Sequence, residues 1–141
     1  MYNYTGLTPL HKWNFEMTNI VLIFLGAGIG GVLRYWVSNI IYWMTNRQFP
    51  YGTLVVNTSG CFLMGLLFVL LTERFAGASL QLRSFLLIGL LGGYTTFSSF
   101  SIETLNLFEN SAWLSGFLNI FFSIFLCIFA AWLGVLGGRQ L

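Results

Sequence analysis

The chain of 141 residues has no aspartate, one histidine, two prolines, two cysteines, and charge on only 7% of its positions. A soluble domain carries about 25% charged residues, so a soluble fold is excluded. Four glutamates without an aspartate leave no carboxylate pair for acid–base chemistry. No nucleophile–base pair and no metal-ligand spacing is visible, so no catalytic residue is assigned and an enzyme is not expected. A net charge of +2 gives no basic face for nucleic acid. His11 lies in a polar N-terminal stretch and receives no role. Cys61 and Cys127 fall inside apolar segments and read as small buried hydrophobes.

What the chain does have is hydrophobicity: 57% apolar residues and a mean hydropathy of +0.80. Residues 1–17 form a polar tail, or a short surface helix containing Trp13 and Phe15. They lack the basic start and small-residue cleavage site of a signal peptide. Residues 18–141 hold four segments of the roughly 20 apolar residues that a spanning helix needs. These are Ile20 to Tyr42, Thr53 to Thr72, Ser84 to Phe108 and Trp113 to Leu136. The expected fold is an all-α membrane protein, one compact unit of four transmembrane helices. The bilayer is its solvent.

With four spans, both termini lie on one side, called here the N-side. It carries Lys12, Arg74, Arg83 and Arg139, against Arg47 in the opposite loop. That bias favours a cytoplasmic N-side. Glycines are dense in every span and let helix backbones approach closely.

The third span contains the most informative stretch, Gly93-Tyr94-Thr95-Thr96-Phe97-Ser98-Ser99-Phe100-Ser101. Five of these nine residues are Ser or Thr. Hydroxyls in such number cannot face lipid, where their hydrogen bonds go unmade. The Gly92-Gly93 pair before them is placed to unwind the helix in mid-membrane.

Polar residues elsewhere share one half of the bilayer. Arg34 lies in the second half of the first span, and Thr53, Asn57, Thr58 and Ser59 come early in the second. In the fourth span Ser111, Ser115, Asn119 and Ser123 recur every four residues and share one helix face. One protomer thus lines half of the membrane depth. A full path calls for a second, inverted protomer, hence an antiparallel homodimer with its two-fold axis in the membrane plane.

This lining is rich in donors and poor in charge. A cation path would show acidic rings or an intramembrane carboxylate, so the lining suits a small anion or a neutral polar solute. Phe97 and Phe100, three apart, share a face. They either fill the core or turn their electropositive ring edges to an anion. A helix broken at Gly92–Thr96 frees carbonyls, and two such breaks at a dimer axis offer four oxygens to a small cation such as sodium. Arg34 either snorkels to the interface or attracts anions in an aqueous vestibule. Glu103 is placed outside the narrow path.

Three motifs resemble the Fluc (CrcB-type) fluoride channels. They are Gly26-Ala27-Gly28-Ile29-Gly30-Gly31-Val32-Leu33-Arg34-Tyr35, Gly52-Thr53-Leu54-Val55-Val56-Asn57 with Gly60 and Gly65, and Gly92 to Phe100 with Glu103. The resemblance spans about Asn19 to Gly138 and implies a dual-topology homodimer, inserted in both orientations in the cell membrane, that exports fluoride passively. It implies that Phe97 and Phe100 line two parallel pores, with Asn57 as a donor facing fluoride. Ser98, Thr96 and Ser123 join the polar track, together with Asn119, which stands where the family often has tyrosine. It further implies a central structural sodium held by the carbonyls of Gly92 and Thr95, and Arg34 at the vestibule. No organic cofactor is implied. The long tail before Thr18 departs from the family pattern. Two other functions fit the residues less well. A proton-coupled exporter of cations needs a carboxylate inside its first spans, and these have none. A purely structural subunit leaves the polar half unexplained.

Overall fold

The computed structural model describes residues 9–45, 47–74 and 80–141, with side chains from Glu16 onward except that of Arg74. It is all-helical. Helix α1 runs Pro9–Met44. Proline suits a helix start, where its missing N–H is not needed. No breaker follows for 36 residues, so the helix extends about three turns before the expected first span. Positions 1–8 of the expected polar tail lie outside the described residues.

Pro50 precedes α2, Tyr51–Val69, which widens into a π-helical end at Leu70–Arg74. The third span comprises α3 (Leu80–Arg83), a π-helical stretch Ser84–Leu91, α4 (Gly92–Tyr94) and α5 (Phe97–Glu109). A tight turn with Ser111 at φ 59° leads to α6, Trp113–Gln140. Four segments are long and apolar enough to cross a membrane: Glu16–Met44, Tyr51–Glu73, Leu80–Glu109 and Trp113–Gln140.

The packing joins helices distant in sequence. α2 lies along α6, and α1 lies along the π-helical stretch and α4. Glycine makes both contacts. A Cβ on Gly65 would strike the Ala131 carbonyl, and one on Gly134 would strike the Phe62 carbonyl. Gly30 meets the Leu90 carbonyl in the same way, across the other pair. Backbones this close exchange many small dispersion contacts, which is how helices associate when lipid is as apolar as their side chains.

Very little apolar side chain is buried: Val56, Val69, Leu71, Leu91 and Ala130. Large apolar residues cover the outside instead, including Phe24, Trp43, Leu114 and Ile128. The buried polar set is Thr53, Ser84, Thr96, Thr104, Asn119 and Ser123. Apart from Ser84, all belong to the half of each span facing away from the N-side.

Candidate functional site

The site is built where the helical pattern of the third span stops. Thr95 (φ −83°, ψ 154°) and Thr96 (φ −150°, ψ 120°) are extended, and the helix resumes at Phe97. An extended pair between helices leaves backbone groups without their usual partners, and these need others.

Asn57 on α2 supplies two. Its Oδ1 accepts from the Thr96 N–H at 2.8 Å, and its Nδ2 donates to the Thr96 carbonyl at 2.9 Å. Thr96 in turn caps α5: its Oγ1 accepts from the Ser99 N–H at 3.2 Å. The Ser98 and Ser99 hydroxyls lie 3.1 and 3.2 Å from the same oxygen.

These bonds have a consequence for two carbonyls. In an unbroken helix the Gly92 oxygen accepts from the Thr96 N–H, and the Thr95 oxygen from the Ser99 N–H. Both donors are engaged by side chains, at Asn57 and at Thr96. The Gly92 and Thr95 carbonyls therefore lack their helical donors, which makes them fit to face a hard cation.

Around the interruption lies a cavity of ≈ 380 Å³. It gathers Asn57, Thr95, Thr96, Phe97, Phe100 and Ser123 from three spans. The Phe97 and Phe100 rings are tilted by 47° with centroids 5.3 Å apart, and Phe97 is 79% exposed. Cys61 and Cys127 also line this cavity and are only partly buried, which corrects the reading of both as buried packing. A sequence signal for this existed: Cys61 is four residues after Asn57 and Cys127 four after Ser123, so each shares its neighbour's helix face.

A second, larger cavity of ≈ 1210 Å³ lies beyond. Arg34, Arg47, Tyr42, Thr53 and Glu103 line it, and Thr96 borders both cavities. The Glu103 Oε1 accepts from the Thr53 hydroxyl at 2.8 Å and from the Tyr42 hydroxyl at 3.3 Å. The Arg47 guanidinium sits 5.8 Å from the Tyr42 ring centroid, in cation–π range. The Tyr42–Thr53–Glu103 cluster was not legible in the sequence, since its members come from three spans.

Asn119 lines neither cavity. It is 1% exposed, donates to the Thr104 hydroxyl at 2.8 Å, and accepts from Ser123 at 3.4 Å. It bridges α5 and α6 behind Ser123. Of the four residues of the polar stripe, Ser123 reaches the smaller cavity and Ser115 the larger. Ser98 is exposed and touches the site through Thr96.

Residues 21–135 match the family described as CrcB-like protein, Camphor Resistance (CrcB). The chain is 58% identical over 123 residues to the Fluoride-specific ion channel FluC of Coxiella burnetii (strain Dugway 5J108-111), covering 87% of this chain and 99% of that one. It is 48% identical over 120 residues to the protein of the same name from Magnetococcus marinus, covering 85% and 97%. With the one from Methylococcus capsulatus it shares 47% over 123 residues, covering 87% of this chain and 54% of that relative.

Proposed function

The chain belongs to the CrcB-like family, and from that premise we propose that it is a fluoride-selective ion channel giving passive export of fluoride across the cell membrane. It is a multi-pass membrane channel and not an enzyme. The observation that carries the reading is the meeting of Phe97, Phe100, Asn57 and Ser123 in one cavity at the interrupted third span. Relatives named for fluoride support it.

Fluoride is small and strongly hydrated, so its path must replace water's hydrogen bonds with fixed donors. The second Asn57 N–H is such a donor, and the Ser123 hydroxyl becomes one by giving up its long 3.4 Å bond to Asn119. The Phe97 and Phe100 ring edges add weak positive potential without a full charge. Ser98 and Thr96 extend the track, and Asn119 orients Ser123 from behind. Arg34 and Arg47 in the larger cavity draw anions toward it. The interruption lies within the bilayer, and Thr96 marks the passage between vestibule and pore.

The working unit is an antiparallel homodimer inserted in both orientations, with two pores. Two facts favour it: the polar lining covers half the depth, and the Phe97 ring is largely uncovered in one protomer. The Gly92 and Thr95 carbonyls of both protomers would hold a central sodium ion, whose charge offsets anion repulsion and braces the dimer.

The test is fluoride efflux from liposomes holding the purified protein, with chloride-loaded liposomes in parallel and sodium on both sides. Fast fluoride efflux without chloride efflux is expected. No fluoride movement from a protein shown to be dimeric would overturn the reading.

A further inference from the structure

Cys61 on α2 and Cys127 on α6 are the chain's two cysteines. They form no disulfide, and both line the smaller cavity from neighbouring helices. Helix register puts them there. Pairs step along the α2–α6 seam every four residues: Asn57 with Ser123, Cys61 with Cys127, Gly65 with Ala131. The first two pairs line the smaller cavity. The third is a glycine-to-carbonyl backbone contact, so the thiols are held together by the backbone behind them. Both are partly exposed to the cavity.

We propose that Cys61 and Cys127 form a binding site for a soft, two-coordinate cation of the Hg²⁺, Ag⁺ or Cu⁺ class, and that an ion there plugs the cavity beside Phe97 and Phe100. Thiolates select soft cations. Zinc wants four ligands, and no group of three His, Cys, Asp or Glu side chains stands together among the described residues. Two thiols on one cavity answer to a metal satisfied by two sulfurs. Metal–thiolate bonds of about 2.3 Å set collinear sulfurs about 4.6 Å apart, a span that fits within the cavity both residues line. With Hg²⁺, two S–H bonds break, two Hg–S bonds form, two protons leave to water, and no oxidation state changes. The binding half of the proposal stands on geometry alone; the plugging half rests on the channel reading.

The test titrates Hg²⁺ into the purified full-length protein in detergent, followed by native mass spectrometry and a free-thiol assay. One Hg²⁺ per chain, with two protons lost and both thiols consumed, is expected. Cys61→Ser and Cys127→Ser, each checked with the Ala variant, should bind on the order of 100-fold more weakly, because chelation is lost. Two Hg²⁺ per chain, or single variants that bind as tightly as the native protein, would overturn the site. In liposomes, stoichiometric Hg²⁺ should stop fluoride efflux by the native protein, excess dithiol should restore it, and the double Cys→Ser variant should be insensitive. Full efflux from metal-loaded protein would overturn the plug. Chelated Hg²⁺ in a protein that moves no fluoride even before metal is added would leave the site standing and remove the channel reading instead.

Discussion

Replacing Asn57 by leucine isolates what holds the third span open. The substitution keeps the number and branching of the side-chain heavy atoms, adds some volume, and deletes both bonds to Thr96, at 2.8 and 2.9 Å. In a water-soluble core, each orphaned backbone group would cost about 1–3 kcal/mol. Interhelical hydrogen bonds in membrane proteins average about 0.6 kcal/mol, with a maximum near 1.7. Two bonds at that scale give a loss of about 1–3 kcal/mol. The structure also indicates where the chain relaxes. The freed Thr96 N–H can return to the Gly92 carbonyl as in an ordinary helix, which closes the interruption and removes an oxygen from the proposed cation site. Conduction should therefore fall more than stability does, by at least about tenfold in liposome fluoride efflux. Thermal unfolding of the detergent-solubilised protein measures the first quantity, and efflux the second. A variant that melts like the native protein and conducts at the native rate would refute the idea that Asn57 maintains the extended pair.

Phe97→Ile and Phe100→Ile should each abolish fluoride efflux while size-exclusion chromatography still reports a dimer; normal conduction by either removes that ring from the pore. Gly134→Ala drives a methyl group into the Phe62 carbonyl and should destabilise the α2–α6 seam by about 1–3 kcal/mol, read as a lower melting temperature. An unchanged melt would mean that the two helices separate freely. Replacing sodium on both sides by a large organic cation should weaken the dimer and slow fluoride efflux together. Unaltered dimer and efflux would argue against a cation at the Gly92 and Thr95 carbonyls.

The four spans were legible because bilayer thickness turns hydropathy into length, and each expected segment falls within or beside an observed helix. Their ends were less so. α1 is already helical at Pro9 because a helix continues past its apolar stretch until something stops it, and nothing between Pro9 and Ile20 does. The hydroxyl cluster is conspicuous in the sequence, yet its main partner, Asn57, acts through the Thr96 backbone groups, which no residue pattern displays. Of the expected four-residue stripe only Ser115, Asn119 and Ser123 lie on α6; Ser111 sits in the turn before it at φ 59°, so the helical spacing does not extend to it. A single face, however, meets different neighbours along its length: Asn119 packs against Thr104 while Ser123, one turn on, opens into the cavity. Periodicity assigns direction, but only tertiary structure assigns what lies in that direction.

The pairing of α2 with α6 also dictates an order of events during synthesis. About 65 residues separate Val69 from Gly134, and ribosomes add roughly 5–20 residues per second. The second helix therefore waits several seconds in the bilayer, or beside the insertion machinery, with the backbone at Gly65 uncovered, until α6 is made. A nascent chain halted after Glu109 would hold that seam open indefinitely, and the exposed glycine face would mark it to membrane proteases as unfinished.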